Sequence, residues 1–519
     1  MTTALRSCLI GALALLATPV LAACGDDTDP PGGGGAGGED QGGAGGATGG
    51  AGGAGGAPQP IVLTPEAGFI EVPATTGGPD YTSRLFYSFI PAEHDADKAP
   101  IVLFFNGGPG AATTSVLLPF GTGPLTIDPA AAPDVGPAEN PNRWSRFANL
   151  LYVDTRSAGL SYDLEPGLAL TCSPTGYMPA IDAGDFIYAL LEFLDSHEPL
   201  RDNPVVVSGE SYGGTRAPLM LYMLQYYGTT PESPSPSDPD IAAAAPWLRD
   251  KMQAHLDAAF PEDGTGVRDA GQVAKQFGWQ ILIQPSIFGL DQSMFQQQYL
   301  EQDPDFAEYF ANPSTYSPYD VRLTNDEAAL IGEHADNTIR NPQFLAALLG
   351  VGLDTITGLA AADRADAYRD LSLYDVNNVA NAESAMREAL GDLPMDRDAY
   401  YLPLASPCGF YLGDYMSLQA FARVMVRGGT FITNARHDAV VYTEALPIFF
   451  QQASSFTVDV DTSVPAGSPR KGVIRLHGDL LDVDLRFPTY DAGHEVSIGA
   501  PAEFAQDVEL WLGEQGLLP

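Results

Sequence analysis

Three short runs, Ile101–Phe105, Asn149–Val153 and Pro204–Val207, are almost wholly apolar, and each leads into a turn rich in Gly or Ser. A strand with one wet face alternates apolar and polar residues, so runs without alternation must be covered on both faces, as in a parallel sheet. Between the last two runs, Asp182–Ser196 places Ile187, Leu190, Leu191 and Leu194 on one helical face, giving the order strand, helix, strand. The pattern predicts an α/β fold with a mostly parallel central sheet.

The folded sequence begins near Ile61, and alternating runs at Phe69-Ile-Glu-Val and Arg84–Ile90 predict an opening antiparallel ribbon. A helix is expected over Arg216–Tyr227. Pro-rich sequence at 231–239 then breaks the pattern, and Ala- and Asp-rich, mostly helical sequence fills about 228–410, with a strand-like interruption at Gln280–Phe288. This stretch reads as a helical insertion, or cap, on the core domain. Strand patterns return at Thr430–Thr433, Gly472–Leu476 and Val483–Phe487, and a closing helix is expected over Ala502–Trp511.

Gly209-Glu210-Ser211-Tyr212-Gly213 follows the apolar strand directly. Glycines on both sides of a serine, between a strand and a helix, allow the sharp turn that lifts the hydroxyl above a sheet. A serine hydroxyl needs a base to take its proton, and that base needs an acid to orient it. His494, in Tyr490-Asp-Ala-Gly-His494, follows the last strand, and Asp438 follows the strand at 430–433. The chain order is then Ser211, Asp438, His494, with His437 and Asp491 as competing choices. Upstream, Asn106-Gly107-Gly108-Pro109-Gly110 follows the strand Ile101–Phe105. Its glycines let backbone N–H groups approach a substrate oxygen, so Gly108 and Tyr212 are the candidate oxyanion donors.

Taken together, the Asn-Gly-Gly-Pro-Gly loop, the Gly-Glu-Ser-Tyr turn and the Ala-Gly-His ending resemble the serine carboxypeptidases, a family with the α/β-hydrolase fold. The resemblance extends through Asn140–Trp144, Asn149–Asp154 and Ala158–Tyr162. It implies a serine-type carboxypeptidase acting through an acyl-enzyme, with Ser211 as nucleophile, His494 as base and then acid, and Asp438 orienting the imidazole. It also implies that Asn106, Gly107 and Glu210 bind the terminal carboxylate of a peptide substrate. Two carboxylates repel, so Glu210 must carry or share a proton, and acid pH should favour activity. The family's second acid, expected before the Gly-Pro matching Gly123-Pro124, is replaced here by Gly121-Thr122. The paired-carboxyl device is therefore expected to be incomplete. Arg156 and Arg216 lie in motif segments and read either as carboxylate ligands or as structural ion-pair partners. No metal or other cofactor is implied.

An esterase or other acyl hydrolase would need the same triad, and a catalytically silent surface-binding module could keep the same fold. Lys and Arg number 25 against 66 Asp and Glu, a formal net charge of -41, which repels polyanions and excludes nucleic acid as an expected partner.

Residues 1–23 read as a signal peptide, with Arg6 as its basic start and an apolar stretch from Leu9 to Leu21. Leu21-Ala22-Ala23-Cys24 resembles a bacterial lipobox, which would leave Cys24 lipidated at the start of the mature chain; a plain signal peptide cut after Ala23 is the other reading. Residues 25–60 repeat Gly-Gly-Ala and read as a flexible tether. The expected location is the bacterial cell envelope, with the membrane contacted through the lipid alone. Cys172 and Cys408 remain in the folded part as either a disulfide or two separate thiols.

Overall fold

In the computed structural model the apolar runs become strands because each residue finds a hydrophobic layer on whichever side it points. Ile101, Leu103 and Phe105 enter one buried cluster while Val102 and Phe104 enter a second. Val205 and Val207 likewise face the first cluster and Val206 the second. The structure describes residues 63–74, 82–108, 111–115, 117–126, 137–156, 161–163, 179–227, 246–260, 268–331, 417–453, 457–461, 472–478 and 481–519. The signal and tether readings, with Cys24, lie outside the described residues, as do Cys172 and Cys408.

The main strands are β1 (Glu66–Val72), β2 (Ser83–Ile90), β3 (Ile101–Phe105), β4 (Asn149–Val153), β5 (Val205–Glu210) and β6 (Trp279–Ile283). They continue with β7 (Thr430–Ile432), β8 (Thr457–Asp461), β9 (Val473–Gly478) and β10 (Leu481–Arg486). They run side by side in the order β1-β2-β4-β3-β5-β6-β7-β10-β9-β8, with Tyr162–Asp163 pairing β2 beyond this path. From β4 to β10 every neighbour is parallel. The two ends of the sheet are antiparallel ribbons. A mostly parallel α/β sheet is thus borne out.

Helices α1 (Pro179–Ser196), α2 (Gly213–Tyr226) and α3 (Pro246–Ala259) contribute Leu190, Leu221 and Leu256 to the first cluster. The last helix, α4 (Pro501–Glu514), packs Phe504, Val508 and Trp511 into the second, against Trp144 and Phe431. The sheet is therefore covered on both faces, as its apolar strands require.

One correction concerns the stretch 228–410. It is not a single appendage, because β6 lies in the middle of the sheet between β5 and β7. Its Ile281, Leu282 and Ile283 are fully buried, so the strand-like interruption is a core element. The strand is also shorter than the Gln280–Phe288 run: at Gln284 the backbone turns to a positive φ of 44°, which ends regular pairing.

Candidate active site

Strand β5 ends at Glu210 and helix α2 starts at Gly213, so Ser211 and Tyr212 alone make the turn. Ser211 sits at φ 55°, a left-handed conformation that non-glycine residues seldom adopt and that often marks functional positions. Backbone bonds fix it there. Its N–H donates to the Ile283 carbonyl at 2.8 Å, and its carbonyl accepts from Gly214 and Ser286, each at 2.9 Å. Gly209 is required because a Cβ there would lie 2.3 Å from the Gly213 carbonyl oxygen. The serine itself is half-buried.

The glycine loop after β3 meets this turn. A Cβ on Gly107 would lie 2.6 Å from the Ser211 Cβ and 2.7 Å from the Tyr212 nitrogen, so only glycine permits the approach. Gly108 follows at φ 98°. The fold thus brings the proposed oxyanion loop against the residue expected to supply the second donor.

Asp438 and His494 arrive from distant parts of the chain. Asn434–Ala435 and Thr489–Tyr490 form a short parallel ladder, which continues as Arg436 N–H to Tyr490 O and His437 N–H to Ala492 O, both at 3.1 Å. The two loops therefore leave the sheet together. Oδ1 of Asp438 accepts from Val440 and Val441 N–H at 2.7 and 3.1 Å, leaving Oδ2 to meet His494 Nδ1 at 2.7 Å. A carboxylate at Nδ1 holds the proton on that nitrogen and leaves Nε2 as the base. Burial disfavours the imidazolium, but the charge and hydrogen bond of Asp438, with the charge of Glu495, outweigh it and raise His494 above its ordinary value.

A segment of the insertion braces these loops. His494 N–H donates to the Tyr319 carbonyl at 2.6 Å, Val321 N–H to His437 O at 3.0 Å, and Ala439 N–H to Pro318 O at 2.9 Å. The Tyr319 ring stands edge-on to the imidazole, with centroids 5.7 Å apart. Nothing in the local sequence around Pro318–Val321 marks this role.

The competing choices fall away from the site. His437 pairs with Asp491 at 2.7 Å, and Asp491 is exposed and also meets Arg322 at 3.2 Å. The motif arginines are structural. Arg156 pairs with the buried Asp185, and Arg216 Nε donates to the buried Asp182 at 2.9 Å. Arg216 also donates through Nη1 to the Asn106 carbonyl at 2.7 Å, and Phe186 lies 4.3 Å from its guanidinium. It therefore anchors the loop that carries Asn106.

Glu210, at the end of β5, is buried beside the nucleophile, and its Oε1 accepts from Asn106 Nδ2 at 2.9 Å. Its carboxyl is raised well above the ordinary range, first by burial, then by the charge of Glu495 and a side-chain hydrogen bond with it, and by the charge of Asp438; the Asn106 bond opposes this. Glu495 follows His494 directly. The Glu210–Glu495 contact therefore brings the nucleophile segment and the histidine segment to one place. The charge of Glu495, from just beyond the Ala-Gly-His ending, thus acts on Glu210, while position 121 carries no acid.

The fold and this constellation define the class: an α/β-hydrolase with the layout of a serine hydrolase. Residues 56–231 match the model of the serine carboxypeptidase family, which bears out the resemblance seen in the motifs over that stretch. Among curated relatives, a venom serine carboxypeptidase of Apis mellifera is 32% identical over 163 residues, covering 31% of this chain and 31% of that protein. Serine carboxypeptidase-like 12 of Arabidopsis thaliana is 31% identical over 165 residues, covering 31% and 35%. The matched part thus spans about a third of these relatives' length. Among solved structures, Kex1(delta)p, a prohormone-processing carboxypeptidase from Saccharomyces cerevisiae, overlays with a TM-score of 0.44 at 10% identity, covering 87% of this chain and 92% of its own. A proline iminopeptidase from Mycobacterium smegmatis gives a TM-score of 0.36 at 14% identity, covering 87% and 99%.

Proposed function

We propose that the chain is a serine carboxypeptidase that removes residues from the C-terminus of peptides. Ser211 Oγ attacks the last peptide carbonyl while His494 Nε2 takes the hydroxyl proton, and the resulting oxyanion is received at Gly108 and Tyr212. The imidazolium, held by Asp438, passes that proton to the leaving amine as the C–N bond breaks, leaving an acyl-enzyme. Water then attacks the acyl carbon, again through His494, and restores Ser211.

The observation that carries the exopeptidase reading is the buried Asn106–Glu210 pair immediately beside Ser211. A triad acting on simple esters needs no buried, proton-holding carboxyl next to its nucleophile. That carboxyl suits a substrate whose scissile bond lies one residue from a free carboxylate. Digestion of a mixed peptide library, read by mass spectrometry across pH, tests this: single-residue losses from free C-termini are expected, and internal cleavage or indifference to C-terminal amidation would defeat it.

We further propose that the enzyme is exported and lipid-anchored at Cys24, with residues 25–60 as tether. The lipobox-like Leu21-Ala22-Ala23-Cys24 and the Gly-Ala repeat support this. Cys24→Ser should move the protein from the membrane to the soluble fraction with turnover unchanged. Unaltered membrane partition would refute the anchor.

A further inference from the structure

Among the described residues, Asp95, Ser211 and Gln284 are the non-glycine positions with positive φ. The last two are related. Glu210 and Ile283 are partners in the ladder between β5 and β6, and each strand turns left-handed at its next residue, Ser211 at 55° and Gln284 at 44°. Such a conformation persists only where the surroundings hold it, and it gathers at functional sites. Ser211 is accounted for as the nucleophile. Gln284 is wholly buried and belongs to no triad.

The Gln284 side chain spans the base of the loop that carries Asp438. That loop leaves β7 at Thr433 and closes at Thr443, where a short helical turn begins. The backbone N–H and Nε2 of Gln284 donate to Thr433 Oγ1 at 2.9 and 3.0 Å, and its Oε1 accepts from Thr443 Oγ1 at 3.0 Å. The Thr443 hydroxyl also reaches Asn434 Oδ1 at 2.8 Å, its single proton serving one acceptor at a time. All four residues are buried. From Thr443 the hold passes to the acid in two bonds: Thr443 N–H donates to Val441 O at 2.9 Å, and Val441 N–H to Asp438 Oδ1 at 3.1 Å. On the other side of Gln284, the Ile283 carbonyl and the Ser286 N–H hold the backbone of Ser211.

We propose that Gln284 is a positioning residue of the triad: its side chain ties both ends of the Asp438 loop to the strand that holds Ser211, and so sets the acid, with the imidazole bound to it, against the nucleophile. The inference rests on the triad and is independent of C-terminal specificity. Being wholly buried, Gln284 acts through Asp438 and touches no substrate.

Removing the amide while keeping its volume should slacken the loop and spare the core. In Gln284→Met the backbone N–H still donates to Thr433, and the Thr443 hydroxyl still has Asn434, so neither threonine is left alone in the interior. Thr443→Val cuts the same link from the other side, and Thr443→Ser keeps it. A slackened acid has two signatures. Chemistry slows while binding is unchanged. The imidazole also loses part of the charge and hydrogen bond that raise it, so it gives up its proton at lower pH. The groups that face it, Asp438, Glu495 and Tyr319, are unaltered in these variants, and neither Gln284 nor Thr443 titrates. A moved profile therefore reports the position of the acid.

The test follows hydrolysis of an N-acyl amino-acid ethyl ester and the rate of fluorophosphonate labelling across pH, with thermal unfolding measured alongside. It compares wild type, Gln284→Met, Thr443→Val, the double variant and Thr443→Ser. Gln284→Met and Thr443→Val should each lower kcat and the labelling rate about tenfold, leave KM within about twofold, and move the acid limb of kcat/KM to lower pH. The double variant should lose no more than either single one, since both cut one link, and Thr443→Ser should stay near wild type. Folded variants with wild-type kcat and an unmoved acid limb would overturn the inference. So would additive losses in the double variant, or a Thr443→Ser loss equal to that of Thr443→Val, which would make the effect one of packing. Labelling that survives Ser211→Ala would instead overturn the triad on which the inference rests.

Discussion

Ser211 is placed by a turn of five consecutive residues and the strands directly beneath it, whereas Asp438 and His494 reach each other from positions 56 apart in the chain. The first half of the site is backbone geometry: a left-handed serine, two glycines in contact and a neighbouring strand that accepts its N–H. The second half is an assembly, two loops kept in step by a two-residue parallel ladder and buttressed by Pro318–Val321 from the insertion. A nucleophile built locally is set once the strand and helix form. A base built from distant loops depends on the whole sheet and on a segment outside it, so the halves should respond differently to perturbation.

The largest effect should come from removing the nucleophile. Ser211→Ala is expected to abolish turnover and fluorophosphonate labelling with an unchanged unfolding transition, since it empties no core volume; retained labelling would break the assignment. His494→Ala should lower kcat/KM by several orders of magnitude, as loss of a triad member does elsewhere. His437→Ala, on the exposed Asp491 pair, should leave it nearly unchanged. If the two variants behaved the other way round, the base would have been misplaced.

Arg216→Met asks whether the local half truly stands alone, because it removes the anchor of the Asn106 loop and strands the buried Asp182. A loss of about 3 kcal/mol in denaturant unfolding is expected, together with a higher KM for free-acid peptides. A stability change below about 0.5 kcal/mol, the level of an ordinary surface substitution, would show the pair to be dispensable.

The gentlest probe is pH. His494 is raised, so ester hydrolysis should fall as pH drops through a value above the imidazole's usual one. Glu210 is raised as well, and its protonated form is the one that binds, so free-acid binding should weaken as pH climbs through its elevated value. The free-acid peptide should therefore show its optimum at lower pH than the ester. Coincident optima would separate Glu210 from recognition.

The sequence alone determined the sheet's centre and the local half of the site. Strands β3 and β4 run over the residues marked by their apolar runs, because strands buried on both faces leave no polar residue to blur the signal. The Gly-x-Ser-x-Gly turn was equally legible, since the glycines it needs are part of the motif. By contrast, β8, with its sequence Thr-Val-Asp-Val-Asp, lies at the sheet edge and escaped notice, because polar alternation in so short a run resembles a loop. Tertiary structure decided between His494 and His437, between Asp438 and Asp491, and between structural and ligand roles for Arg156 and Arg216. Each of those choices turns on which loops the sheet sets side by side. Glu495 was in plain view, one residue past the histidine, yet its meaning depended on Glu210, 285 positions earlier in the numbering. Carboxyls so far apart in the chain influence each other only once folding brings them together.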